Sequence, residues 1–287
     1  MRVRRPGFAV VSLAALDVRR SPEHRSELGS QLLLGEVVRL LATSRDGLWN
    51  RIENRADGYR GWVRNWGLVP VSAARAARWH ARARARVVRA CVGATSEPRG
   101  GPLASPLFLN SRIIPTGSRG GFRSLELPDG RRAWVPAAAV VIGRGPGVDL
   151  LSRVRGLLGV PYLWGGRTAL GFDCSGFTQQ VLAEQGVALP RDAWQQFGMS
   201  RALPNGESAR IGDLVFFAAR GSRPSHVGIA LGAGYYAHSR GRVMIGSTDP
   251  RNPLCDKQLL AQFVAARRPA RGVFWTLSGK AAGWAAT

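Results

Sequence analysis

The sequence predicts an α+β domain in its C-terminal half, preceded by two small all-β barrels. Three observations carry this. Short apolar segments broken by turn residues fill the chain up to Ile142, and an Asp-Gly turn followed by a Trp-Val strand closes two separate stretches. From Val148 onward, helical and strand periodicities alternate.

The first barrel is read over residues 1–70. Gln31 to Leu41 reads as two strands about Gly35, and Asp57-Gly58-Tyr59-Arg60-Gly61-Trp62-Val63 pairs a turn with an aromatic strand, with Trp49 and Trp62 as candidate core. Residues 71–86 change to alanine and arginine and predict a partly helical linker. No aromatic platform interleaves these arginines, which favours a solvated connector over a nucleic-acid arm. The second barrel is read over residues 87–143, and Asp129-Gly130 with Trp134-Val135 repeats the first ending, so an internal duplication is expected. Gly143 to Gly147 marks a boundary, the third domain runs from 148 to 271, and 272–287 is a small-residue tail expected to be mobile.

Composition narrows the class without choosing a partner. The 287 residues are 45% hydrophobic and 21% charged, and no apolar run reaches the roughly 20 residues of a membrane span, so no span is expected. A formal charge of +23, nearly all arginine, would attract nucleic acid, acidic membrane or anionic wall material alike; the arginines are spread along the chain, and nucleic acid is not expected. The start, Met1 to Arg5 followed by Phe8 to Leu16, imitates a signal peptide, but its apolar part is better used as a first strand. Cys91, Cys174 and Cys255 provide neither a disulfide framework nor zinc spacing. A cytoplasmic location fits, with secretion or wall association the alternative. Cys91 and Cys255 read as small buried hydrophobes.

Cys174 alone has chemical company. Asp173 is a good helix cap, and Cys174, Phe177, Thr178 and Val181 share a helical face before Gly186. At a helix N-terminus the free amide groups favour thiolate over thiol, so a depressed thiol pKa is expected. His226 opens a strand whose small residues Gly228 and Ala230 leave room beside the imidazole, and His238 ends another strand from which it could orient that imidazole. Each residue taken singly reads first as a packed, hydrogen-bonded core residue; the ordered set points to a thiol nucleophile with its base.

Pro161-Tyr162-x-Trp164-Gly165-Gly166, Asp173-Cys174-Ser175-Gly176-Phe177, Leu189-Pro190-Arg191, Gly212 to Phe217, His226-Val227-Gly228-Ile229 and Ala237-His238-Ser239 together resemble the NlpC-type cell-wall cysteine peptidases. The resemblance implies a papain-like α+β catalytic domain with Cys174 as nucleophile, His226 as base, His238 as the orienting third residue and Tyr162 near the oxyanion. Two SH3-like barrels ahead of such a domain resemble murein-peptide recycling enzymes, which cut γ-D-glutamyl to diamino-acid bonds. That implies murein stem peptides or peptidoglycan as substrate, no metal or organic cofactor, and Asp173 and Ser175 holding the substrate's free amine. Those enzymes add an acid from the first barrel; Arg60 stands in the closing segment here, and Glu53 is the candidate acid. Arg191 is the candidate for substrate carboxylates. A non-catalytic wall-peptide binder and an acyltransferase on the same fold are the competing classes.

Overall fold

A computed structural model of the chain describes residues 7–143 and 147–270. These fall into two compact units that divide between Gly147 and Val148.

The first unit holds two seven-stranded antiparallel sheets. The first is built from β1 (Phe8–Val11), β2 (Ala15–Arg19), β3 (Leu28–Leu33), β4 (Val37–Thr43), β5 (Trp49–Asn54), β6 (Arg60–Arg64) and β7 (Leu68–Val71), in the order β3-β2-β6-β5-β4-β1-β7. The second uses β8 (Ala85–Val87), β9 (Cys91–Glu97), β10 (Gly100–Phe108), β11 (Arg112–Arg119), β12 (Phe122–Glu126), β13 (Arg132–Pro136) and β14 (Val140–Ile142), in the order β10-β9-β13-β12-β11-β8-β14. Adding seven to each strand number of the first order produces the second. A one-turn 3₁₀ helix precedes the last strand of each sheet, at Asn65–Gly67 and Ala137–Ala139. The duplication read from two Trp-Val endings is thus a repeat of whole topology.

Turn chemistry accounts for the local geometry. Gly58 takes φ +74°, the left-handed conformation that the Asp57-Gly58 turn requires, and the Asp57 carboxylate accepts the Tyr59 amide at 3.0 Å. Trp49 is buried as expected, whereas Trp62 is only partly so, because it points to the outer face of β6 while Val63 takes the core side. Cys91 is exposed, correcting its reading as a buried hydrophobe, and Cys255 is partly exposed. Phe8–Val11 pairs with both β4 and β7, so the apolar start is a strand. Met1 to Arg5 and the tail 272–287 lie outside the described residues.

Between the sheets runs α1 (Ala73–Arg82), capped by Ser72, whose hydroxyl accepts the Arg75 amide. Strands claim both ends of the expected linker: Val71 completes β7 and Ala85 opens β8. Far from being a loose tether, α1 buries Ala76 and Trp79 in a cluster with Val10, Val37 and Ile114, residues from both sheets. The Trp79 indole donates to the Gly35 carbonyl at 2.9 Å. Gly35 takes φ +89°, and a Cβ there would stand 1.8 Å from the Arg112 carbonyl. That close approach lets the preceding residue, Leu34, leave the first sheet and sit fully buried in the core of the second, among Ala85, Val87, Leu107 and Ile113.

The second unit begins with α2 (Leu150–Arg155), capped by Asp149. The helix ends at Gly156: Val154 and Leu157 are buried, but Leu158 is exposed. After the two-residue strands β15 (Arg167–Thr168) and β16 (Gly171–Phe172) come α3 (Cys174–Glu184) and α4 (Ala193–Gly198). A six-stranded antiparallel sheet follows from β17 (Ser200–Ala202), β18 (Leu214–Phe217), β19 (His226–Gly232), β20 (Tyr235–Arg240), β21 (Arg242–Ser247) and, after the short α5 (Lys257–Leu260), β22 (Phe263–Pro269), in the order β17-β22-β18-β19-β20-β21.

Helix α3 lies against β19 and β20 and is buried almost all round. A helix so enclosed cannot leave Glu184 as a bare charge, and Arg153 of α2 forks it at 2.5 and 2.9 Å. Among the described residues no helix is long and apolar enough to cross a membrane.

Leu34→Ala is expected to destabilise the first unit by about 2–5 kcal/mol, the usual cost of emptying a filled core position. Amide hydrogen exchange should speed up in both sheets together; faster exchange in the first sheet alone would show that Leu34 does not couple them.

Candidate active site

Cys174 is the first residue of α3, and everything around it serves to hold that first turn. The Asp173 carboxylate caps the helix by accepting the Gly176 amide at 2.6 Å through Oδ1. Its Oδ2 accepts the Gly165 amide at 2.9 Å, which ties the helix start to the Tyr162–Gly166 turn. Backbone contact is just as close: a Cβ on Gly176 would stand 2.1 Å from the Gly166 carbonyl, and one on Gly166 would stand 2.3 Å from the Gly171 carbonyl. The turn is fastened to the sheet edge in its own right, with the Tyr162 amide donating to Gly241 at 2.8 Å and the Ser239 hydroxyl donating to Phe172 at 2.8 Å.

The two histidines come from adjacent strands. Gly228 pairs with His238, and two-residue alternation then puts His226 on the same face, diagonal to His238. Their rings meet edge to face, with His226 Nε2 and His238 Nδ1 2.8 Å apart. The room left by Gly228 is filled by its sheet neighbours rather than left open beside the imidazole: a Cβ would stand 3.0 Å from the Tyr236 ring and 3.2 Å from His238 Cβ. The Cys174 thiol lies against the backbone that flanks His226, 3.8 Å from the Ser225 carbonyl, with the Val227 amide also directed at the sulfur. His226 Nε2 is engaged by His238, so Nδ1 is the ring nitrogen outside that contact.

The electrostatics overturn one expectation. Burial, followed by the adjacent Asp173 carboxylate, pushes the Cys174 thiol up to about 12, against the opposing pull of the Val227 amide, Arg191 and the Ser175 amide. Burial and then His238 and Arg240 push His226 down to about 3. Burial and Arg240 likewise push His238 down to about 4, while Asp256 opposes them. The resting pair is therefore neutral thiol and neutral imidazole. Helix-end amides do favour the thiolate, but desolvation and a neighbouring carboxylate outweigh them here. The Tyr162 hydroxyl is held above its ordinary range by burial and by the nearness of Cys174 and Asp173.

The three remaining sequence candidates form one buried network. Arg191 forks Asp173 at 2.6 and 3.0 Å and donates to the Ser175 hydroxyl at 2.9 Å. At 1% exposure it has no face to offer a substrate carboxylate, which corrects that reading of Arg191. Ser175 also donates to Asp173 at 3.3 Å, and both are buried. In the first barrel, Glu53 is 9% exposed and forked by Arg60 at 2.6 and 2.8 Å, so the closing-segment arginine and the candidate acid are partners.

Sequence reading missed Gln196. Its amide nitrogen donates to the Ser175 and Pro190 carbonyls, each at 3.0 Å, and its oxygen accepts the Thr178 hydroxyl at 2.7 Å. The available signal was the Asp192-x-x-Gln195 capping box, which starts α4 and sets Gln196 in its first turns. Among the described residues no cluster of His, Cys, Asp and Glu is arranged to hold a metal.

A helix opening on a cysteine, laid against an antiparallel sheet that carries a histidine pair, is the architecture of a cysteine peptidase. Residues 159–264 match the NlpC/P60 family, and residues 18–68 match the bacterial dipeptidyl-peptidase SH3 domain. The chain thus carries an NlpC/P60 cysteine peptidase domain preceded by a bacterial SH3 domain. It is 28% identical over 221 residues to the γ-D-glutamyl-L-lysine dipeptidyl-peptidase of Bacillus subtilis, covering 73% of this chain and 71% of that protein. It is 35% identical over 122 residues to the Bacillus cereus protein of the same name, covering 39% of this chain and 36% of that one. The crystal structure of an NlpC/P60 family protein from Bacillus cereus superposes with a TM-score of 0.78 at 20% identity, over 94% of this chain and all of that one, a likeness of fold.

The histidine pair sets a pH dependence for stability. Unfolded histidines take up protons near 6.5, whereas the folded pair does so only near 3 to 4. Between these limits the unfolded chain binds more protons, so stability should fall as the pH drops from about 6.5 toward 4 and be independent of these groups above that window. Thermal unfolding across pH 4–8 checks this, and His226→Gln should flatten the acid slope.

Proposed function

We propose that the chain hydrolyses murein stem peptides at the γ-D-glutamyl to diamino-acid bond, with Cys174 as nucleophile, His226 as base and His238 as the residue that orients it. The observation that carries this reading is the 2.8 Å His226 Nε2–His238 Nδ1 contact, which occupies Nε2 and leaves Nδ1 for the thiol, whose sulfur rests on the Ser225 carbonyl beside His226. The bond chosen draws on the two Bacillus relatives, whose names specify γ-D-glutamyl-L-lysine dipeptidyl-peptidase activity.

The neutral resting pair makes the chemistry general-base catalysis rather than attack by a standing thiolate. Cys174 Sγ attacks the γ-carbonyl carbon while its proton passes to His226 Nδ1. The carbonyl oxygen becomes an oxyanion, for which the Cys174 amide at the helix start and the Tyr162 hydroxyl are the candidate donors. His226 then returns the proton to the leaving amine, the C–N bond breaks and a thioester to Cys174 remains. Water, giving a proton to His226, attacks the thioester; the C–S bond breaks, the thiol is reprotonated and the γ-glutamyl carboxylate leaves. No step calls for a metal or organic cofactor.

The second seven-stranded sheet, residues 85–142, is a second SH3-like barrel on this reading, supported by its repeat of the first sheet's strand order. Asp173 and Ser175 lie beside the nucleophile, but their polar atoms are already engaged with Arg191, so a free substrate amine would have to share an occupied carboxylate.

Cys174→Ser should abolish release of diaminopimelate from L-Ala-γ-D-Glu-diaminopimelate, followed by chromatography. Equal release by variant and parent would sink catalysis at Cys174. His226→Ala should lower kcat by about 10²–10⁴-fold, the usual weight of a general base. If the amine product appears without a free γ-glutamyl carboxylate, acyl transfer to another acceptor replaces hydrolysis; binding without any product would leave a wall-peptide binder.

A further inference from the structure

Among the described residues Arg191 is the largest fully buried side chain, and a buried guanidinium is costly unless every contact it makes is specific. Here it forks one carboxylate and donates to the Ser175 hydroxyl beside it. The fork on Asp173, at 2.6 and 3.0 Å, engages the same two oxygens that hold the Gly165 amide and the Gly176 amide. Those amides belong to the turn that carries Tyr162 and to the helix that carries Cys174. Arg191 itself is anchored next to α4, where Gln196 bonds both the Pro190 and Ser175 carbonyls.

We infer that Arg191 is a positioning residue of the peptidase reaction, one that acts through Asp173 to fix the Tyr162 turn against the first turn of α3 and so set the distance from thiol to oxyanion donor. The inference rests on the peptidase reading above. Two features separate this role from simple packing. A fork is needed, because one carboxylate must be held in a single plane while it accepts amides from two directions; a lysine supplies the charge as a point and lacks the plane. A charge is needed too: Asp173 and Arg191 are the charged groups that act on the thiol, the Tyr162 hydroxyl is near it from the turn, and the sulfur rests on the backbone that flanks His226 at the start of β19. Arg191 is the cation that offsets Asp173 there.

The test compares Arg191→Lys and Arg191→Met in the full chain, measuring kcat and KM on L-Ala-γ-D-Glu-diaminopimelate and the pH dependence of Cys174 alkylation by iodoacetamide, resolved by peptide mass from Cys91 and Cys255. Arg191→Lys should lose about 100-fold in kcat, the scale of an ångström-sized misplacement, with KM little changed and the alkylation midpoint in place. Arg191→Met should lose kcat as well and move the midpoint to higher pH, because Asp173 is left unopposed. Wild-type kcat in Arg191→Lys overturns the inference, as does a loss carried by KM, which would make Arg191 a substrate-binding group. Should the methionine variant fail to fold, the lysine variant decides alone. If Cys174→Ser hydrolyses like the parent, the peptidase reading falls; if that variant is dead and Arg191→Lys is unimpaired, only the positioning inference does.

Discussion

One carboxylate organises the second unit. Asp173 accepts hydrogen bonds from a helix amide, a turn amide, a serine hydroxyl and both terminal nitrogens of an arginine. An ionised carboxylate has about four lone-pair sites, so this group is saturated by its own fold. The burial of α3 depends on it: a helix start enclosed on all sides leaves its first amides without water, and Asp173 answers for one of them while joining the helix to the turn beside it. Gly165, Gly166 and Gly176 follow from the same constraint, since any side chain at the latter two would push the turn away from the helix.

That arrangement has an electrostatic consequence for the chemistry. A carboxylate next to a buried sulfur disfavours thiolate, and the two histidines, buried together and near Arg240, disfavour imidazolium. Both members of the pair rest uncharged, which avoids the cost of a buried ion pair; in the proposed reaction, charge separation is deferred to the attack, with the oxyanion placed near Tyr162 and the helix start. The histidines are held in line by their strands: Gly228 is small because Tyr236 and His238 occupy its space.

The first unit solves a different problem. A barrel of some 60 residues buries little apolar surface by itself. By sending Leu34 into the neighbouring core and laying α1 across both sheets, the chain makes its two seven-stranded sheets share their apolar contacts. The left-handed Gly35 is what permits the handover.

Much of this was legible along the chain. Apolar spacing, Asp-Gly turns and the paired Trp-Val endings determined two β units and a mixed third, because strand alternation and turn conformations are local properties. The Asp173 cap on Cys174 and the strand settings of His226 and His238 were readable for the same reason. Only tertiary structure decided the rest. Arg191 looked like an exposed cation because sequence carries no record of burial, and its partner lies 18 residues away on another element. The thiol's pKa was misjudged because the helix end is a local feature, whereas desolvation depends on the whole sheet packed over it. Leu34 was indistinguishable from its neighbours Leu32 and Leu33 until the fold showed which core each one enters. Burial and pairing between distant segments are properties of the folded chain, and they turned a helix cap with a cysteine into a braced site.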